Sequence, residues 1–175
     1  FKPDRGLLEL VESAAHWPQR YRLVLRGHAP NETFGALLAQ RGSVLADRVR
    51  VEPTVAPDAV VRAANSADIG IFLPGLTSPQ NRYALPNKLF EYLAAGLMVI
   101  VPAGTDMADV VATHHAGLAL DDVSPAALAR RLSALSQEDV DGFKQRAHAA
   151  SLTLQARRDY APLLDAFGAA SGAKA

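Results

Sequence analysis

Apolar residues recur along the chain at two alternating spacings, which predict helices and strands in turn. Helical spacing covers residues 4–16, 31–41, 57–66, 86–95, 105–113, 124–136 and 138–150, and a last helix extends to about residue 167. Short apolar runs that predict strands cover residues 21–27, 48–51, 68–73, 97–101 and 117–120. Residues 74–85 are rich in Gly, Pro, Ser and Asn and predict a loop.

This alternation predicts an α/β domain in which helices flank a doubly wound parallel sheet. Ligands of such sheets bind at the carboxyl ends of the strands. The first predicted element is a helix, whereas a doubly wound domain begins with a strand, so we expect the first strand to lie upstream of Phe1. We assign residues 1–168 to one domain and expect residues 169–175 to form a disordered tail.

The composition excludes several classes of function. The 175 residues carry eighteen basic and eighteen acidic side chains, and zero net charge argues against a nucleic-acid partner. The absence of cysteine excludes disulfides, Cys-ligated zinc and thiol nucleophiles. The five histidines lack metal-ligand spacing, so we expect no bound metal, and the glycine fingerprint of dinucleotide sites is absent. No catalytic residue can be assigned from these observations.

The most informative segment is ALPNKLFEYLAAGLMVIVP, at residues 84–102. Pro86 suits the first turn of a helix, because its missing N–H would be unpaired there anyway. If Leu85 holds the N-cap position, it offers no capping oxygen, and the amides from Asn87 onward stay free. Free amides at the positive end of a helix form an anion site, and Lys88 adds a full charge in the same turn.

Glu91 follows Asn87 by four residues and Lys88 by three, so all three share one helix face. A carboxylate at that position can accept two hydrogen bonds from a sugar diol. The same spacing also fits a solvent-exposed Lys88–Glu91 ion pair that contributes only about 0.2–0.5 kcal/mol, with Asn87 as an ordinary cap. The residues alone leave both interpretations open.

The run PNKLFEYLAAG, followed by an apolar strand, resembles the signature of the large retaining family 4 of GT-B glycosyltransferases (glycosyl transferases group 1). The flanking runs SADIGIFLP and GLAL are also similar to that family, and the resemblance covers nearly the whole chain, loosely outside residues 66–102. It implies a Rossmann-like domain, the C-terminal, donor-binding half of the GT-B architecture.

The resemblance also implies roles for particular residues. The start of the helix, at Asn87, Lys88 and Leu89, would hold the diphosphate of the donor, and Glu91 would hold the nucleotide ribose. Many relatives carry a second glutamate earlier in the chain, whereas Tyr83 stands at the matching position here. This departure removes the sugar-contacting role that the earlier glutamate would have.

Further donor contacts are implied at two other loops. Arg5, in the pair Arg5-Gly6, matches a basic residue of the family that contacts the diphosphate. The loop after the strand at 48–51 would receive the nucleobase through the backbone of Thr54 and Val55. The alternative is that Arg5 is an ordinary surface arginine near the start of a helix.

The function that the resemblance implies is transfer of a sugar from a nucleoside-diphosphate sugar to an acceptor hydroxyl, with retention and without a metal or other cofactor. We expect the acceptor (a glycan, a lipid or a small molecule) to bind a missing N-terminal domain, so that this chain alone binds donor without turnover. We expect a role in polysaccharide biosynthesis, in the cytoplasm or peripherally at the inner face of the membrane. The alternatives are a GT-B-fold sugar-nucleotide epimerase and a non-catalytic α/β regulatory domain.

Overall fold

The computed structural model describes residues 6–27, 32–45, 47–76 and 79–154. Its helices are α1 (Leu7–Ala14), α2 (Glu32–Val44), α3 (Val60–Ala64), α4 (Pro79–Tyr83), α5 (Asn87–Ala94), α6 (Asp106–Thr113), α7 (Pro125–Ala134) and α8 (Gln137–Thr153). Its strands are β1 (Leu23–Arg26), β2 (Val49–Glu52), β3 (Ile69–Ile71), β4 (Met98–Pro102) and β5 (Gly117–Leu120). The predicted last helix and the tail at 169–175 lie outside the described residues. Within them, no helix combines the length and apolarity needed to cross a bilayer.

All strand pairs among the described residues are parallel, as the alternation of helices and strands predicts. They form two sheets, one of β1 and β2 and the other in the order β3–β4–β5, where we expected one. In a doubly wound domain, by contrast, the strands form one continuous sheet. The described residues do not test the strand that we expect upstream of Phe1, and it stays a prediction.

The central strand β4 is covered on both faces, and its side chains separate two hydrophobic clusters. Met98 and Ile100 belong to a cluster that also includes residues of α1, α2, α7, β1 and β2. Val99 and Val101 belong to a second cluster, built with α5, α6 and α8. All four side chains are fully buried, which explains why this strand reads as a continuous apolar run.

Helices α3 and α5 pack side by side, α5 packs on β4 of the second sheet, and α5 begins at the carboxyl edge of that sheet. Helix α5 connects the parallel strands β3 and β4, so it must run opposite to both. At its other end the amide of Leu97 donates to the carbonyl of Tyr92 at 3.0 Å, and Asn65 Nδ2 at the end of α3 donates to the carbonyl of Ala95 at 2.8 Å. The loop that precedes α3 is therefore placed at the same edge as the start of α5.

Two elements differ from the sequence prediction. The predicted loop at 74–85 contains the short helix α4, which begins at Pro79 and packs on α6. The predicted helix at 57–66 begins with a 3₁₀ turn at Pro57–Ala59 and continues as α3. Proline is favoured in the first turn of a helix, so even a one-turn helix can begin in a segment whose composition predicts a loop.

Candidate functional site

The start of α5 has free backbone donors, although the cap differs by one residue from the prediction. Pro86, and not Leu85, holds the N-cap position, in an extended conformation and with no side-chain cap. Within the described residues, the amides of Asn87 and Lys88 donate to no acceptor. The amide of Leu89 donates to the carbonyl of Pro86 at 3.0 Å. Two free N–H groups therefore remain at the positive end of an eight-residue helix.

Leu89 differs from the other residues that were predicted to bind the nucleotide sugar. Its side chain is 1% exposed and lies in the second hydrophobic cluster, against β4 and α6. Its amide is already bonded within the chain. Leu89 thus offers no free group to a ligand, because its side chain is buried and its amide donates to the carbonyl of Pro86 within the first turn of α5.

Lys88 and Glu91 form an ion pair on the exposed face of α5. Lys88 Nζ lies 2.6 Å from Glu91 Oε2, and the side chains are 49% and 26% exposed. Within the described part of the chain, Glu91 Oε1 has no hydrogen-bond partner. The predicted common face is confirmed for Lys88 and Glu91, and the pair leaves one carboxylate oxygen available to another hydrogen-bond donor.

Tyr92 provides the apolar side of the same turn of α5. Its ring packs against the second hydrophobic cluster. Burial, and secondarily the negative charge of Glu91, raise the pKa of the Tyr92 hydroxyl to about 12. At neutral pH the carboxylate of Glu91 thus has a neutral phenol as its sequence neighbour and Lys88 as its charged partner.

The start of α1 lies against the segment that follows β3. Gly6 is the N-cap of α1 with a φ of 64°, and a Cβ there would lie 2.7 Å from the carbonyl oxygen of Leu73. Only glycine allows this close approach together with the left-handed conformation. Arg5, the predicted diphosphate contact, lies outside the described residues.

A cavity of about 250 Å³ opens beside Gly6, between the starts of α1 and α7. Ser13, Leu73, Gly75 and Val123 are among the residues that line it. Its volume is below the roughly 300–1,000 Å³ of typical ligand pockets. None of the predicted α5 residues is among the residues that line this cavity.

The loop predicted to receive a nucleobase follows β2. Thr54 is exposed and Val55 is partly buried, and both precede the 3₁₀ turn that leads into α3. Because α3 packs beside α5, the fold brings this loop to the edge where α5 begins. No hydrogen bond or ion pair joins the loop to α5 among the described residues.

Tyr83, which the family resemblance matched to a glutamate, is the last residue of α4. Its side chain is 69% exposed. Asn81 Nδ2 donates to the carbonyl of Gly75 at 2.7 Å and ties α4 to the preceding loop.

Sequence reasoning did not single out Gly70, although a glycine inside an apolar strand run indicates a close approach by another group.

Comparison of the sequence with known families gives a match over most of the chain. Residues 1–138 match the family described as glycosyl transferases group 1. Comparison with curated proteins gives no significant match.

The fold is similar to that of solved glycosyltransferases. HepE from Anabaena, in complex with UDP and glucose, superposes with a TM-score of 0.78 at 15% identity, over 97% of this chain and 46% of that one. Sucrose-phosphate synthase from Thermosynechococcus elongatus gives 0.72 at 18% identity, over 99% and 44%. WaaG, a glycosyltransferase of lipopolysaccharide biosynthesis, gives 0.64 at 18% identity, over 87% and 40%. The chain thus spans less than half the length of these proteins.

Proposed function

The chain belongs to the group 1 glycosyl transferases, and on that premise we propose that it is the donor-binding domain of a GT-B glycosyltransferase. The enzyme transfers a sugar from a nucleoside-diphosphate sugar to an acceptor hydroxyl. The domain supplies the binding site for the nucleotide, and a further domain of the same protein binds the acceptor, a glycan, a lipid or a small molecule. This chain alone binds donor without turning it over.

The observation that carries the proposal is the combination of groups at the start of α5. Two free amides, of Asn87 and Lys88, point out of the positive end of the helix, and Lys88 adds a cationic side chain. These groups suit a diphosphate, which carries two negative phosphoryl groups. One turn later, Glu91 keeps one carboxylate oxygen free to accept a hydrogen bond from a ribose hydroxyl.

The chemistry of transfer assigns a task to each group. When the bond between sugar and diphosphate breaks, negative charge develops on the departing phosphate. Fixed donors at the start of α5, together with Arg5, stabilise that charge as it forms, without reorganisation of solvent. Glu91 and the backbone of Thr54 and Val55 hold the nucleoside, and no metal is required by this arrangement. Retention of anomeric configuration is part of the proposal.

The solved structures support a nucleotide sugar as the ligand class. HepE was crystallised with UDP and glucose and also with UDP-glucose. At 15–17% identity this likeness concerns the fold, so UDP is the first nucleotide to test rather than an assigned ligand. A role in polysaccharide biosynthesis agrees with WaaG, a glycosyltransferase of lipopolysaccharide biosynthesis, as a neighbour. A location in the cytoplasm or at the inner face of the membrane is part of the proposal.

Calorimetric titration with UDP, GDP and ADP tests the proposal, with uridine as a ligand that lacks phosphates. Glu91→Gln should weaken binding of UDP and uridine alike, since the ribose contact is common to both. Lys88→Gln should weaken UDP and leave uridine unchanged. A lost hydrogen bond of either kind corresponds to roughly 1–3 kcal/mol.

Glu12→Gln is the matched control, because Glu12 forms another exposed ion pair, with Arg41 at 3.3 Å. It should bind every ligand as the parent does. Binding of no nucleotide by the parent, or an equal loss in Glu12→Gln and Glu91→Gln, would contradict the proposed site.

A further inference from the structure

Gly70, the middle residue of β3, is in direct contact with the ring of Tyr92. A Cβ at Gly70 would lie 2.5 Å from both Cγ and Cδ2 of the ring and 3.0 Å from the Cβ of Tyr92. Gly70 is buried and pairs with Val99 of β4, and its φ is not in the left-handed region. The backbone conformation therefore does not require glycine here, whereas the ring does.

The ring belongs to the helix that carries the proposed donor site. Tyr92 directly follows Glu91, and its neighbours Leu89 and Leu93 are buried against β4 and α6. The carbonyl of Tyr92 accepts the amide of Leu97 at 3.0 Å, so the chain is also held on the C-terminal side of the ring. Tyr92 thus rests on bare strand backbone at the turn of α5 that contains Glu91.

A glycine inside a strand lowers stability, because it loses more conformational freedom on folding and contributes no side chain to the core. At Gly70 that cost is accompanied by a specific gain, the close seating of α5 on β3. This contact controls how closely α5 packs on β3, because a methyl group at Gly70 would push the ring of Tyr92 away from the strand. The Cβ of Tyr92 lies 3.0 Å from the added Cβ and is fixed to the helix backbone, so a change of the ring's rotamer alone would leave this close approach in place.

We propose that Gly70 and Tyr92 are positioning residues of the donor site, which set the depth of α5 on β3 and thereby the location of Glu91. This inference rests on the proposed function. The free amides of Asn87 and Lys88 move with the same rigid helix, so one contact aligns both the ribose-binding and the diphosphate-binding groups. In catalysis, a misplacement of about 1 Å can lower the reaction rate about a hundredfold, which shows how little displacement of its groups a site tolerates.

The test compares UDP affinity in the protein and in four variants, at a temperature where circular dichroism shows each to be folded. Gly70→Ala should raise the Kd for UDP tenfold or more, and Tyr92→Ala should raise it as well. Tyr92→Phe keeps the ring and should bind as the parent does. Gly42→Ala is the matched glycine control, because its Cβ would meet nothing nearer than Val49 Cγ1 at 3.6 Å.

A second readout separates positioning from a merely structural role. If the contact acts through Glu91, Glu91→Gln should reduce UDP affinity less in the Gly70→Ala background than in the parent. Lower stability of Gly70→Ala with unchanged Kd would overturn the inference and leave the proposed function intact. Failure of the parent to bind any nucleotide would overturn the proposed function and this inference with it. Should Gly70→Ala not fold, equal affinities of Tyr92→Ala and Tyr92→Phe would overturn the inference.

Discussion

The hydroxyl of Tyr92 experiences two effects that oppose its ionisation. Burial is the larger and the negative charge of Glu91 the smaller, and together they raise its pKa from 10.0 to about 12. Glu91→Gln should therefore lower the pKa of Tyr92, though not to the ordinary value, because burial remains. Ultraviolet titration of the phenolate, with Tyr92→Phe subtracted, measures this shift.

The same pKa shift predicts how stability depends on pH. The native state keeps the phenolic proton between pH 10 and pH 12, whereas the unfolded chain loses it. The contribution of Tyr92 is therefore fully present below pH 10 and is lost as the pH rises towards 12. Urea unfolding should show the parent losing stability relative to Tyr92→Phe over that interval, and a constant difference would contradict it.

The Lys88–Glu91 ion pair has a functional role in our proposal and only a small structural one. Both partners are partly exposed, and exposed i,i+3 pairs contribute only about 0.2–0.5 kcal/mol. Lys88→Gln should therefore change the free energy of unfolding by less than about 0.5 kcal/mol while it weakens UDP binding. Chemical denaturation measures the first effect and calorimetry the second.

Lys144→Gln is the control for this comparison, since Lys144 forms an exposed pair with Asp68 at 2.7 Å on another face. It should also leave stability nearly unchanged, and UDP affinity as well. Unchanged UDP affinity in Lys88→Gln, with a loss of stability of only about 0.2–0.5 kcal/mol, would favour the interpretation of Lys88 and Glu91 as an ordinary surface ion pair.

At the scale of elements, most helices and strands could be predicted, because periodic burial leaves its mark on the sequence. Strand β5 has the predicted bounds, and β4 and α5 differ from prediction by a residue or two. The short helix α4 was missed, since five residues contain too little periodicity to be recognised. Contacts between distant segments, such as Gly70 with Tyr92, depend on packing that no local pattern encodes.

In the proposed donor site, too, some features could be predicted from the sequence and others could not. The common face of Lys88 and Glu91 could be predicted from their spacing within one helix. The cap at Pro86 and the bonded amide of Leu89 could not, because the position of a helix start depends on backbone angles that sequence specifies only within a residue or two.

Helix α8 shows a local signal strong enough to support a prediction of its own. Ser136 and Asp139 form a capping box, in which Asp139 N donates to Ser136 Oγ at 3.0 Å and Ser136 N donates to Asp139 Oδ2 at 2.9 Å. Ser136→Ala should lower the free energy of unfolding by about 1 kcal/mol. Thermal unfolding compares it with Glu138→Gln, an acid in the same turn outside the box, which should have a smaller effect.

The carboxylate of this capping box also makes helix stability depend on pH. Hydrogen bonds from the Ser136 side chain and backbone lower the pKa of Asp139 below its ordinary value of 3.8. Its contribution is thus present above that value and is lost as the pH falls through the lowered pKa of the folded state. Asp139→Asn should remove this acid-sensitive part, and an unaltered acid transition in the variant would contradict the assignment.

At the scale of the whole molecule, the two parallel sheets are joined through side chains. Leu23 and Leu25 of β1 share one hydrophobic cluster with Met98 and Ile100 of β4. Arg20, just before β1, donates to the carbonyls of Leu132 and Leu135 near the end of α7, at 3.3 and 2.7 Å. Among the described residues, this packing replaces a continuous backbone ladder between the sheets.

A shared cluster predicts that both sheets unfold in one cooperative transition. Trp17, the single tryptophan of the chain, lies in this cluster and donates to Ser13 Oγ at 3.0 Å, so its fluorescence reports on the β1 side. Far-UV circular dichroism reports on all helices, and the two midpoints should coincide. Leu25→Ala and Ile100→Ala should each lower the free energy of unfolding by about 2–5 kcal/mol. In both variants the fluorescence and circular dichroism midpoints should fall together.

The opposite result would be a fluorescence transition that Leu25→Ala shifts while circular dichroism stays in place. That outcome would divide the molecule into two units, one with β1 and β2 and one with β3, β4 and β5. The proposed donor site needs the undivided form, because the loop at Thr54 and Val55 follows β2 whereas Glu91 lies on a helix packed against β4. One nucleotide can contact both only if the core holds the two sheets in a fixed relation. Native packing between the two sheets is thus a condition that the proposed function places on the whole domain.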